Sequence, residues 1–237
     1  MHTEKLPPRD AYELWAPSYP AFAHNPLMRV EQAVVAAVLA QLRACRALDV
    51  GTGSGRYLPL LAATGARLVV GVDFSMAMLT RTPTSTPAPG DWPPRSVYSR
   101  PRRLCADACQ LPFRRGAFDL INASLMVGDV ADLRRWCAEM GRLLAPGGHL
   151  VYSDFHPSWA QHDWSRTFRG PDGELREISF HPHSIDDHLT ALADAGFRVQ
   201  AIREPRFTDD HDPGVKAFRR RWRNPRVVVV FHLVNER

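Results

Sequence analysis

Apolar positions along the chain keep two different rhythms, and the rhythms alternate. Leu27, Val30, Val34, Val38 and Leu42 recur at helical spacing and share one face of a helix. Asn25-Pro26 supplies its start: a side chain that can cap free N–H groups, then a residue that has no N–H to satisfy. Ala47–Val50 reads as a short buried strand running into Gly51-Thr-Gly-Ser-Gly55. Tyr57–Ala63 is helical and stops at Gly65, and the β-branched run within Arg67–Asp73 makes a second strand. Arg102–Cys105 and Phe118–Ala123 are the third and fourth strands. Leu133, Trp136, Cys137, Met140 and Leu144 form the apolar stripe of a helix closed by Ala145-Pro-Gly-Gly148. His149–Phe155 is the fifth strand. Ser184, with Asp187 three residues on, is a capping box for a helix over Ile185–Ala195 that Gly196 ends. Phe197–Arg203 and Val227–Val234 are the sixth and seventh strands.

Strands alternating with helices predict an α/β fold with a parallel sheet and helices on both of its faces. Only the Arg-rich Val215–Arg223 stretch could carry a helix between the last two strands, so an antiparallel final strand is expected. Prolines 7, 8, 17, 20 and 26 interrupt the N-terminal lead, and Pro83–Pro101 reads as a long flexible loop. With 237 residues and no internal repeat, a single domain over 1–237 is expected. Cys45, Cys105, Cys109 and Cys137 show no CxxC spacing, the start of the chain is polar, and no apolar run approaches the roughly 18 residues of a membrane span. These features predict a reduced, cytoplasmic protein with no membrane partner. The net charge of +5 is almost all arginine, since Lys5 and Lys216 are the only lysines. Such a surface attracts anionic partners in general and does not by itself select nucleic acid.

Candidate chemistry concentrates where the first strand meets the glycines. Alternating glycines let the backbone turn and let a ligand touch the main chain with no Cβ in the way. Some twenty residues on, the second strand ends in Asp73, where a carboxylate can accept hydrogen bonds from both hydroxyls of a ribose. The pair points to an adenosine-type ligand. A dinucleotide fingerprint fails in both registers, because Arg56 or Leu58 stands where its last glycine should be. Asp49 also puts negative charge beside any pyrophosphate, which suits a ligand with an amino group and a sulfonium instead. No Gly-Lys-Ser/Thr follows, so this is not a P-loop.

Asp49–Gly55 reads D-x-G-x-G-x-G, and Val72-Asp-Phe-Ser75, Cys105-Ala-Asp107-Ala108, Phe118–Leu125 and Leu143–Gly148 follow in order. Tyr12-Glu-Leu-Trp-Ala-Pro-Ser-Tyr19 precedes them, with Pro20 next. In this combination the sequence resembles the class I S-adenosylmethionine-dependent methyltransferases. The likeness runs through Tyr12–Phe207, to the small-molecule branch that includes quinone-biosynthesis and malonyl-carrier methyltransferases. The resemblance implies a Rossmann-like, doubly wound, seven-stranded and mostly parallel sheet with an antiparallel last strand. It implies S-adenosyl-L-methionine as cofactor and S-adenosyl-L-homocysteine as product. Asp49, Gly51, Thr52, Gly53 and Gly55 would line the methionine part, and Arg56 would pair with its carboxylate. Asp73 and Ser75 would serve the ribose, Phe74 and Met78 the faces of adenine, and Asp107 and Ala108 its edge. Ala123 and Ser124 would close the floor from the fourth strand. Tyr12 and Tyr19 belong to a lid within residues 1–45, in which Pro20 replaces the family's acid.

A methyl acceptor should bind beyond the fourth and fifth strands, over an insertion at 156–183. Histidine titrates near neutral pH, so His156, then His181 or His183, are the expected general bases. Phe155, Trp159, Trp164 and Phe168 offer an aromatic wall. No compact ligand spacing supports a metal. The expected partner is a small-molecule acceptor, anionic or carrier-bound, methylated on oxygen or carbon. The [N/D]-P-P-[Y/F] of amino-methylating DNA enzymes is absent, with Asn122-Ala-Ser-Leu in its place. Two rival readings are an RNA methyltransferase that uses the Arg219–Arg226 cluster and a non-catalytic cofactor-binding protein.

Overall fold

Alternation within each short apolar strand decides which side chain faces which layer. In strand β2 (Arg46–Val50) Ala47 points to one face and Leu48 to the other. Val69 and Val70 repeat this in β3 (Leu68–Asp73), as do Leu120 and Ile121 in β5 (Phe118–Ser124). A sheet whose two faces are both apolar needs cover on both sides. A computed structural model of the chain describes residues 3–81, 101–161, 164–207, 215–216 and 226–237. Most of the expected Pro83–Pro101 loop, His162 and arginines 219–223 lie outside the described residues.

One face is covered by α2 (Pro26–Leu39) and α3 (Leu58–Ala63), the other by α5 (Leu133–Leu143) and α6 (Ile185–Asp194). Their starts follow the capping chemistry in the sequence. Asn25 accepts the Met28 N–H at 2.9 Å, and Ser184 and Asp187 close a reciprocal box. The remaining strands are β4 (Arg102–Cys105), β6 (Leu144–Phe155), β9 (Phe197–Arg203) and β10 (Val228–Asn235). The seven-stranded sheet runs β4-β3-β2-β5-β6-β10-β9. β10 is antiparallel to both its neighbours, and the pairings from β4 to β6 are parallel. This is the doubly wound arrangement that the alternation predicts. The strand order reverses between β2 and β5, which opens a crevice over their carboxyl ends.

Two parts of the structure were not anticipated. β6 begins at Leu144 rather than His149, because the Pro-Gly-Gly segment is carried along the strand. A second sheet, of order β1-β8-β7, joins β1 (Glu4–Leu6), β7 (Arg166–Arg169) and β8 (Leu175–Ile178). The proline-broken lead supplies helix α1 (Pro8–Trp15), whose Ala11 packs on Phe168 and Ile178 of this sheet. A short helix α4 (Met76–Thr80) starts at Ser75, whose Oγ accepts the Met78 N–H.

Candidate active site

The crevice is a cleft of about 950 Å³, floored by the glycine turn after β2 and roofed by α1 and the small sheet. Gly51 and Gly53 line it with φ of +67° and +54°, a region that side chains disfavour. A Cβ on Gly53 would lie 3.2 Å from the Met78 side chain, and one on Gly51 would lie 2.7 Å from Met126. The turn is held from beneath: the Thr52 N–H donates to the Val72 carbonyl at 2.9 Å. The buried Asp49 accepts from the Thr52 hydroxyl at 2.7 Å and the Asn122 amide at 2.8 Å. Burial pushes the Asp49 carboxyl up to about 6, against those two hydrogen bonds.

Asp73 ends β3 beside this turn. One carboxylate oxygen accepts the Gly53 N–H at 2.8 Å, the other the Ser75 N–H at 2.9 Å. Each oxygen keeps acceptor capacity for a further donor. Burial raises this carboxyl to about 6 as well, opposed by the same N–H groups. Beyond it, the Asp107 carboxylate accepts the Cys109 N–H at 2.8 Å, and Asp107 and Ala108 line the far end.

Arg56 enters from the other side. Its Nη1 donates to Glu31 and Gln32, each at 3.1 Å, and Glu31 also accepts from Tyr57 and Ser153. At the end of β5, Leu125 adopts φ of 55°, a conformation bulky residues avoid. Its N–H donates to both the carbonyl and the hydroxyl of Ser153, which holds it there, facing the cleft. In the roof, Arg166 of β7 donates to Asp129 at 2.5 Å and to the Tyr12 hydroxyl at 2.6 Å. Burial opposes the Arg166 charge, but the Asp129 carboxylate outweighs it and raises its pKa. Burial likewise raises Tyr12 and Tyr19, so both phenols are neutral.

Residues 48–152 match the family described as "Methyltransferase domain". A demethylmenaquinone methyltransferase from Thermus thermophilus is 39% identical over 114 residues, 47% of this chain and 48% of that protein. A malonyl-[acyl-carrier protein] O-methyltransferase from Halorhodospira halophila is 31% identical over 173 residues, 69% of this chain and 52% of that protein. The crystal structure of an S-adenosylmethionine dependent methyltransferase from Mesorhizobium loti superposes with a TM-score of 0.65 at 22% identity, covering 87% of this chain and 98% of that one. Residues 48–152 thus carry a methyltransferase domain, on the class I fold of that structure. The chain spans about half the length of these two curated relatives.

The cofactor of this family is S-adenosyl-L-methionine. The methyltransferase domain fits it at the glycine turn, a cradle that one Cβ at Gly53 would obstruct, next to a carboxylate with spare acceptor capacity. Of the cofactor residues expected from sequence, Tyr12, Tyr19, Gly51, Gly53, Arg56, Asp73, Phe74, Met78, Asp107, Ala108 and Ser124 line the cleft. Asp49, Thr52 and Ser75 stand behind it and shape its loops. Gly55 faces Arg103 and Leu58, and Ala123 is fully buried in the core.

The three expected bases do not line this cleft. After β6 the chain turns into a 3-10 segment, Pro157–Gln161, and takes His156 away from the cleft. His156 bonds Ser158 through Nδ1 at 2.7 Å and Glu204 through Nε2 at 2.8 Å. The His181 ring is exposed while its backbone N–H meets the Gly128 carbonyl, and His183 bonds the Val130 carbonyl at 2.8 Å. These contacts anchor the loop before α6. Of the expected aromatic wall, Phe155 and Trp164 line the cleft with rings 4.8 Å apart. Trp159 donates its indole N–H to the Val227 carbonyl inside the core, and Phe168 stacks on Trp15 under the roof. Among the described residues no group of three or more His, Cys, Asp or Glu gathers as a metal site. Sequence reasoning missed Glu31, Asp129 and Arg166. The partners of Arg166 lie 37 and 154 residues away, so no local pattern announces it.

Proposed function

We propose that this chain transfers a methyl group from S-adenosyl-L-methionine to oxygen or carbon of a small-molecule acceptor. The carrying observation is the Asp73 carboxylate. It is pinned by one N–H on each oxygen and presented to the cleft beside the open backbone of Gly51 and Gly53. Two adjacent hydroxyls are the donors that such a carboxylate can still accept. Asp49 beneath the turn and Asp73 beside it put negative charge where a pyrophosphate would lie, and a sulfonium is favoured there.

The bound cofactor supplies an activated methyl group. The residues of the chain align it and keep water out. Phe74 and Met78 offer apolar surface for a purine, with Asp107 and Ala108 at its edge. Arg56, fixed through Nη1, offers the rest of its guanidinium to the amino-acid carboxylate. Tyr12, Arg166 and Asp129 hold α1 across the top, so residues 1–45 act as a lid and 156–183 as the acceptor wall. Fixing donor and acceptor in line supplies on the order of 7–11 kcal/mol of barrier lowering. The wall opposite the glycines, with Phe155, Trp164 and Phe207, suits a flat apolar acceptor, free or carrier-bound.

Calorimetric titration with S-adenosyl-L-homocysteine tests this reading. Saturable one-to-one binding is expected, and it should be lost in Gly53→Val. Heat changes no larger than dilution at millimolar ligand would remove it.

A further inference from the structure

Among the described residues, His24 is the histidine that lines the cleft, and no motif points to it. It follows the broken N-terminal lead, with its ring edge-on to Trp15 and Tyr19 at centroid distances of 6.3 and 6.0 Å. Its neighbour Asn25 favours one tautomer. The Asn25 Oδ1 is engaged as the cap of α2, where it accepts the Met28 N–H at 2.9 Å. The amide nitrogen must then be the atom facing His24 Nε2, at 3.4 Å. An amide nitrogen only donates, so Nε2 presents its lone pair and the ring proton sits on Nδ1. At that length the Asn25 contact is weak and leaves the lone pair available. Nδ1 is buried away from solvent.

The surroundings favour the neutral ring. Burial lowers the His24 pKa below its ordinary value; the Phe22 carbonyl opposes this, and Arg56 and Arg29 add to it. The titratable or charged groups around the ring are thus Tyr19 from the lead, Arg29 from α2 and Arg56 from the turn after β2. Arg56, which lines the cleft together with Pro26, Leu27 and Met28 at the amino end of α2, favours negative charge developing on an oxygen nearby.

We propose that His24 Nε2 is the general base for an acceptor bearing an acidic hydroxyl on a flat apolar ring. This rests on the methyl-transfer reading of the cleft. Nε2 takes the hydroxyl proton while an oxygen lone pair forms the bond to the methyl carbon. The carbon–sulfur bond breaks with its electron pair kept by sulfur, the positive charge passes to the imidazole, and the proton then leaves to solvent.

Three measurements on the whole chain test the assignment. In the nitrogen-15 spectrum of the wild-type protein at pH 7, with the His24 signals assigned by their loss in His24→Gln, Nδ1 is expected protonated and Nε2 bare. A dihydroxynaphthalene probe, added with S-adenosyl-L-homocysteine, should shift the Nε2 resonance. An Nε2–H tautomer, a charged ring at pH 7, or an Nε2 signal blind to the probe overturns the proposal. In calorimetry, His24→Gln should bind S-adenosyl-L-homocysteine within about twofold of wild type, and a loss beyond about tenfold makes His24 a cofactor residue instead. Absence of binding by the wild type would instead defeat the methyl-transfer reading. Release of S-adenosyl-L-homocysteine with the probe as acceptor should fall at least about 100-fold in His24→Gln, and the variant's rate should lose its acid-side decline.

Discussion

At Gly53 a single methyl group decides whether the cleft can be filled. Its φ of +54° strains any side chain with a Cβ, and the 3.2 Å approach of Met78 crowds a branched one. Gly53→Val is therefore expected to keep its circular dichroism spectrum and lose S-adenosyl-L-homocysteine binding in calorimetry. At Asp73 the charge matters as much as the shape. Burial raises its pKa to about 6, and hydroxyl donors prefer the ionised form, so affinity is full above that value and lost below it. Affinity should fall up to about tenfold per pH unit below 6. Asp73→Asn should remove that slope and weaken binding by roughly 1–3 kcal/mol at pH 7.5. The geometry at this end of the cleft was legible because a glycine turn and a strand-ending acid are local patterns with a physical requirement behind them. The acceptor half was not. Whether a histidine meets a substrate or a carbonyl depends on distant segments, as Glu204 for His156 and Val130 for His183 show.

At the level of elements, most strands of the main sheet could be read because they are short apolar runs bounded by turn residues, whereas β4, Arg-Arg-Leu-Cys, carries little apolar signal. The capping box at Ser184 likewise announced α6. The small sheet could not be read. β1, β7 and β8 span three or four residues each and are mostly polar, so only pairing across the chain makes them strands. Its energetic centre is Arg166, which ties β7 to α1 through Tyr12 and to the Val127–Asp129 turn. Arg166→Met leaves the buried Asp129 without its counter-ion and is expected to cost about 3–5 kcal/mol in urea unfolding. Adding Asp129→Asn should recover part of that loss. The single variant should also be cut faster by protease between α1 and α2, as the roof loosens.

Across the whole molecule, buried titratable groups set two opposing slopes of stability with pH. Asp49, Asp73 and Asp154 are raised by burial to about 6, 6 and 7. The native state thus holds protons that the unfolded chain has released, and stability falls as pH rises from about 4 through those values. His188 and His232 are lowered by burial to about 3 and 4, and there the unfolded chain binds the extra protons. Their contribution is complete above about 6.5 and is lost as pH falls toward the native values. A broad optimum is expected on the acid side of neutrality. Asp154→Asn should move it to higher pH, which thermal melts from pH 5 to 8 would show as a gain over wild type that grows with pH.

The place of β10 in the sheet carries a consequence for synthesis. It is the last strand of the chain, yet it lies between β6 and β9, which the ribosome delivers earlier. Until residues 228–235 leave the exit tunnel, β9 has no ladder to join and β6 shows a bare edge to solvent. The nascent polypeptide must therefore wait with a gap in its main sheet, and a chaperone has its opening in that interval.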